Sequence, residues 1–385
     1  MIILIDDWLL PLYKIYTDDE DLSLITKVIK RGHSWAIGPE IEEFENAISK
    51  FVGVDYCACM NSGTSSLHAV LLAYGIGNSD EVITSSFSFI STANSILFVN
   101  SKPIFADIED TTFGLDPASV SKKITSSTRV ILPMDYGGQS CQISELKKIS
   151  NENNLLLIED AAEGLGSSIN GKMVGSQSDA SIFSFCGNKV LTTGEGGAVV
   201  TNSKEIYEKI KLIRSHGRVD PINYFDNPSQ NEYIDIGYNW RMSSLTASLG
   251  ITQIQKLSKI IKMRQENAKY LSLHLSKHEK ITVPKILKNS DHIFQLYTIR
   301  LPEKKIRDEL HDFLTKRRIF SKVYFSPIHL TSFYKKQFGT QKGDLPKTEE
   351  ISDQVLTLPL YPNMTKEEKD LLINTISEFF ESDNN

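Results

Sequence analysis

An α/β fold with a mostly parallel sheet is predicted by two observations. Strand-like and helix-like runs alternate from about residue 55 to 215, an order that builds a parallel sheet through crossover helices. Several strand candidates are also continuous apolar stretches, LLLI among them. Burial on both faces produces that pattern, whereas a half-exposed strand would alternate.

Taken in order, Pro39 opens a helix whose Ile41, Phe44, Ile48 and Phe51 form one apolar face, and Gly53 closes it. Strands follow at 56–60, 81–84, 103–106, 129–133, 155–159, 180–185 and 197–201. Between them lie helices at 64–74, 90–99, 143–153 and 204–215. The Tyr/Asn/Asp/Pro-rich stretch 221–235 reads as an ordered loop or a lid. A long helix starts near Ser243 and runs beyond Tyr270, with Ile254, Leu257 and Ile261 at core spacing. The elements beyond are short and mixed, as in a smaller α+β domain, and the polar end ESDNN frays. The division expected is a large domain over 1–250 and a small one over 251–385.

The chain has 385 residues, a formal net charge of −6 and no dense Lys/Arg stripe, which argues against a nucleic-acid partner. Its four cysteines form no CxxC pair, so they read as reduced thiols of a cytoplasmic protein. MIILIDD is too short and too acidic for a signal peptide. No run reaches the roughly 18 apolar residues a membrane helix requires. The motifs GxGxxG after a strand, GxxxxGK[ST], HExxH and GxSxG are all missing, and the eight histidines do not cluster at ligand spacing. No metal is expected.

Chemistry concentrates elsewhere. Lys189 lies in SIFSFCGNKVLTTGEGG, after a buried strand and before a glycine-rich run whose small residues let a ligand approach the backbone. Asp160 ends LLLIED, at the strand edge where open α/β sheets bind ligands. An acid there either caps the next helix or serves a ligand. In NSGTSSL, Gly63 permits a tight turn, and Thr64 and Ser65 present hydroxyls at a helix N-terminus. That is either an ordinary cap or a phosphate cradle. Ser184 offers another hydroxyl to the same place. Phe89 in SSFSFIST is the candidate for stacking on a flat ring, with Phe87 packed inward.

Together these are the parts needed by pyridoxal 5′-phosphate (PLP). The lysine forms a Schiff base, a carboxylate faces the pyridine nitrogen so that the ring withdraws electrons, and a phosphate cradle and a stacking face complete the site.

The segments GHSWAIGPEIEEFE, NSGTSSLHAVLLA, DEVITSSFSFISTAN, LIEDAAEGLGSSINGKMVGS, FSFCGNKVLTTGEGGAVVTN, RSHGR, GYNWRMSSLTASLG and YFSPIHL resemble, in sequence and order, the DegT/DnrJ/EryC1/StrS family of PLP-dependent sugar aminotransferases. The resemblance implies a fold-type-I transferase with a seven-stranded sheet and active sites shared across a homodimer. It makes Lys189 the Schiff-base lysine, Asp160 the ring-nitrogen partner, Phe89 the stacking ring, and Thr64, Ser65 and Ser184 the phosphate ligands. Asn239 in GYNWRM would reach the partner subunit's phosphate, unless Arg241 takes that contact. Glu163 falls where members carry a polar residue near the ring. Trp35, Gly38 and His329 match segments facing the sugar nucleotide. Members with histidine in place of the lysine act as dehydratases, so Lys189 keeps this chain among the aminotransferases. Ser85 stands where proline is common, which removes no chemical group.

The reaction implied is transfer of an amino group from L-glutamate to a nucleotide-linked keto-sugar, with C4 of a 4-keto-6-deoxyhexose expected as in perosamine synthases. Amination at C3 and a PLP-binding regulatory protein without turnover are the alternatives.

Overall fold

The structure, a computed structural model, describes residues 7–219 and 232–382. Most of the 221–235 stretch read as a loop or lid therefore lies outside the described residues. The chain opens with α1 (Asp19–Arg31), capped reciprocally by Asp18 and Asp21, and α2 (Pro39–Val52). As expected, Pro39 occupies the first turn of α2. Gly53 ends it in the left-handed region at φ 82°, a conformation that favours glycine.

The strands are β1 (Tyr56–Met60), β2 (Glu81–Ser85), β3 (Lys102–Ala106), β4 (Thr128–Leu132), β5 (Leu156–Asp160), the two-residue β6 (Ser168–Ile169) and β7 (Lys172–Met173), β8 (Ala180–Ser184) and β9 (Gly197–Thr201). Between them run α3 (Gly63–Ala73), α4 (Ile90–Phe98), α5 (Pro117–Lys123) and α6 (Ile143–Glu152), and α7 (Lys204–Arg214) follows. Seven strands form one sheet in the order β1-β9-β8-β5-β4-β2-β3. All point the same way except β9, which is antiparallel to both neighbours. This is the mostly parallel, seven-stranded α/β sheet expected.

Burial on both faces explains the unbroken apolar strands. Val130 and Leu132 of β4 pack with α3, α4 and α7, while Ile131 between them packs with α5 and α6. The face above β1, β8 and β9 is covered by α2 and by the first half of α8 (Ser244–Leu275), through Phe44, Ile48, Ile251 and Leu257.

The second half of α8 belongs to another core. Ala268, Leu271 and Leu275 pack against the hairpin-like pair β11 (Tyr297–Arg300) and β12 (Val355–Leu358), α9 (Lys304–Lys316) and α12 (Lys366–Ser382). A division at residue 250 falls inside the first turns of α8, and the two cores meet later, between Leu257 and Ala268. Leu10 also joins the C-terminal core and bridges Ile319, so the N-terminal segment does not pack wholly with the large domain. The remaining elements are β10 (Ser290–Asp291), which extends the β6–β7 ribbon, α10 (Ser332–Phe338) and α11 (Pro346–Gln354). Among the described residues, no helix is long and apolar enough to cross a membrane.

Candidate active site

Parallel strands deliver their carboxyl ends to one edge, and the sequence candidates gather there. β5 ends on Asp160, β8 on Ser184 with Lys189 five residues beyond, β2 shortly before Phe89, and β1 shortly before Gly63. Because β9 runs antiparallel, its first residue, Gly197, arrives at the same edge.

At the centre, Lys189 Nζ lies 3.3 Å from Glu163 Oε1, and both side chains are largely buried. Glu163 Oε2 accepts the Gly137 N–H at 2.9 Å. No helix follows β5 here, so the acid sits in a turn and faces inward. Asp160 is buried beside this pair. Its Oδ2 accepts from Thr92 Oγ1 at 2.7 Å and its Oδ1 from the Ala162 N–H at 3.2 Å. Burial pushes the Asp160 carboxyl above its ordinary range, while those two hydrogen bonds and the Lys189 charge pull it back.

A second group forms around the start of α3. The Ser62 hydroxyl caps the Ser65 N–H at 3.1 Å. The Ser65 hydroxyl is buried, donates to Asn61 Oδ1 at 2.7 Å and accepts the Ser62 N–H at 3.2 Å. The Ser65 hydroxyl, expected at the phosphate, is thus engaged in the helix cap. The Gly63 and Thr64 N–H groups and the Thr64 hydroxyl find no protein acceptor among the described residues. The backbone is tight here. A Cβ on Gly63 would come within 3.0 Å of Ser184 Cβ, and one on Gly197 within 2.5 Å of Ser62 O. Free N–H groups at a helix start, walled by glycines and two hydroxyls, fit a phosphate.

Phe89 begins α4 with its ring 57% exposed, and Phe87 is sealed against Tyr136, Phe113 and Phe325. An exposed ring close to a buried carboxylate and a buried lysine fits a flat aromatic cofactor.

The remaining candidates lie apart from this centre. Arg241 pairs with Met60 as an isolated bridge, and its guanidinium donates to Ser215 Oγ at 3.2 Å. Burial, then the charges of Arg218 and Arg214, lower its proton affinity. Asn239 is exposed, and its backbone carbonyl accepts from Asn61 Nδ2 at 3.4 Å. Gly38 starts α2 where a Cβ would lie 2.7 Å from Ser244 Oγ. Trp35 donates its ring N–H to Val28 O at 3.0 Å and leaves much of its face open. Gly38, Arg218 and Arg241 line one groove. His329, expected to face a substrate, is fully buried with both ring nitrogens bonded, to Ser86 and Glu349. Neither ring nitrogen is left open in this arrangement.

Comparison with known proteins decides the family. The DegT/DnrJ/EryC1/StrS aminotransferase family model matches residues 16–377. The chain belongs to this family. Among relatives of this DegT/DnrJ/EryC1/StrS aminotransferase is GDP-perosamine synthase of Caulobacter vibrioides, 33% identical over 346 residues, covering 89% of this chain and 91% of that one. The UDP-4-amino-4,6-dideoxy-N-acetyl-β-L-altrosamine transaminase of Campylobacter jejuni is 32% identical over 370 residues, covering 94% and 96%. Among solved structures, Helicobacter pylori PseC, an aminotransferase involved in the biosynthesis of pseudoaminic acid, superposes with a TM-score of 0.91 at 29% identity. That match covers 97% of this chain and 99% of PseC.

Sequence reasoning missed three positions in this aminotransferase. Thr92, three residues after Phe89, orients Asp160, and a hydroxyl one helical turn from a site residue was the available signal. Gly197 walls the cradle and was visible only as part of a small-residue run. Gln295 clamps the lysine turn, accepting the Val190 N–H at 2.8 Å and donating to Asn188 O at 2.9 Å. It lies far along the chain, and nothing local marks it.

Proposed function

We propose that this family member uses PLP to transfer an amino group from L-glutamate to C4 of a nucleotide-linked 4-keto-6-deoxyhexose. The observation that carries the reading is the approach of Lys189 to Glu163 beside the buried Asp160. PLP, when bound, supplies an electron sink for the amino donor's α-carbon. Asp160 keeps a proton on the ring nitrogen. Lys189 Nζ would tether the cofactor and, once the donor's amine has displaced it, the freed amine would carry the donor's α-proton across to the cofactor. Glu163 sets the position of Nζ. Gly63, Thr64 and Ser184 hold the phosphate, and Phe89 covers one ring face.

The active sites are shared in a homodimer. Asn239, whose side chain has no partner among the described residues, reaches the partner subunit's phosphate, and Arg241 stands beside it. The groove lined by Arg218, Arg241 and Gly38, with Trp35 nearby, supports an anionic nucleotide sugar. The name of the Campylobacter relative, which specifies a 4-amino-4,6-dideoxy sugar, supports amination at C4. A cytoplasmic location agrees with four free cysteines.

Incubation with a panel of nucleotide keto-sugars, L-glutamate and PLP, followed by mass spectrometry, tests the assignment. An aminated 4-keto-6-deoxyhexose is expected, and amination at C3 alone overturns the position. Lys189→Ala is expected to abolish both the visible cofactor band and turnover. A regulatory protein without turnover predicts no spectral change when glutamate is added.

A further inference from the structure

The turn after β2 ends on Phe89, and its hold on the rest of the molecule comes from a distant segment. The Ile328 N–H donates to Ser86 O at 2.9 Å, and the His329 N–H donates to Ser86 Oγ at 3.0 Å. The Ser86 hydroxyl has no other acceptor among the described residues, so its proton points at His329 Nδ1, 2.7 Å away. With Nδ1 accepting, the ring proton lies on Nε2, which faces Glu349 Oε1 at 3.2 Å. Glu349 is anchored in turn by the Gly343 N–H, at 2.8 and 3.0 Å from its two oxygens.

Serine, histidine and glutamate in line have the composition of a nucleophilic triad. Burial rules out that use, because Ser86 and His329 are 0% exposed and no substrate reaches them. What the line does is mechanical. It ties the turn of the large sheet to the loop before α11, on a part of the chain more than 240 residues away. The other end of the turn is pinned too, since Ser88 Oγ lies 2.6 Å from Thr92 Oγ1, which bonds Asp160. Between these pins Phe87 is sealed inside, and Phe89 alone presents its ring outward.

We propose that His329 is a positioning residue: by locking Ser86 through its ring nitrogen, it sets the placement of the Phe89 ring over the cofactor. This rests on the reading of Phe89 as the stacking ring given above.

The test is titration of the purified apoprotein with PLP, followed by visible absorption and by the circular dichroism that bound cofactor acquires. Ser86→Ala is expected to weaken PLP binding about tenfold and to lower the induced dichroism. In a Phe89→Ala background the same substitution should change neither, because the ring through which it acts is gone. His329→Ala should repeat this pattern, and His329→Asn, whose side-chain oxygen can accept from Ser86, should recover most of the loss. Equal losses in both backgrounds, or no loss while Phe89 is present, overturn the proposal. Ser86→Ala removes only one hydroxyl and keeps the test open if His329→Ala fails to fold. A wild-type protein that takes up no PLP removes the stacking role of Phe89, and this proposal with it.

Discussion

Thr92 Oγ1 donates to Asp160 Oδ2 at 2.7 Å, so the first turn of α4 holds the carboxylate at the end of β5. The bond favours the ionised carboxyl in a place where burial opposes it. The hydroxyl, one turn along from Phe89, therefore joins the two sides of the proposed cofactor site.

Removing that hydroxyl has a signed consequence. In the proposed role Asp160 is ionised to keep the ring nitrogen protonated, and burial already holds its carboxyl above its ordinary range. Thr92→Val takes away a bond to the charged form and raises it further. The acid limb of the kcat profile is expected to move to higher pH, as measured by turnover across a pH series. An unchanged limb would mean that Asp160 does not govern it.

Glu163 separates charge from hydrogen bonding. Glu163→Ala leaves the buried Gly137 N–H without an acceptor, at a cost of about 1–3 kcal/mol. Glu163→Gln keeps an oxygen for Gly137 but takes the negative charge away from Lys189. Thermal unfolding is expected to show a clear loss for the alanine variant and little for the glutamine variant, while both lose turnover.

The proposed phosphate cradle depends on an absent side chain. A Cβ at position 197 would lie 2.5 Å from Ser62 O and 2.6 Å from Gly63 N, both backbone atoms that cannot swing away. Gly197→Ala is expected to destabilise the fold by about 1–3 kcal/mol. It should also weaken PLP binding more than it weakens binding of pyridoxal, which lacks the phosphate. Equal weakening of both would place the phosphate elsewhere.

Asp135 supplies a stability test. Its Oδ2 is buried and finds no donor among the described residues, and burial, then the charge of neighbouring Glu159, hold its carboxyl well above the ordinary range. A carboxyl raised in this way favours folding below its unfolded value, and that contribution is lost as pH rises through the raised one. Asp135→Asn, whose amide can donate to Glu159, removes the loss. Its Tm is expected to exceed that of the wild type at about pH 8 and to show no gain at about pH 4.

Much of this molecule was readable from the chain alone. The seven strands of the large sheet were found to within about a residue, because a sheet buried on both faces leaves unbroken apolar stretches between helix caps, whereas the two-residue β6 and β7 left no such run. Lys189, Asp160, Gly63 and Phe89 were legible for a related reason. Each stands at or just past the carboxyl end of a strand, so sequence position already states which edge it reaches.

What the sequence alone determined, then, is the sheet, the family, and the arrival of a lysine and an acid at the sheet's edge. Local periodicity and the residues after each strand encode such features within a few positions. Only the tertiary structure decided that the Ser65 hydroxyl closes a helix cap, that Gln295 clamps the lysine turn, and that His329 is sealed against Ser86 rather than open to a ligand. Those outcomes hang on hydrogen bonds between residues about a hundred or more positions apart, or on which of several nearby partners a hydroxyl chooses. Such pairings leave no periodic trace along the chain, because they exist only once the two cores have closed on each other.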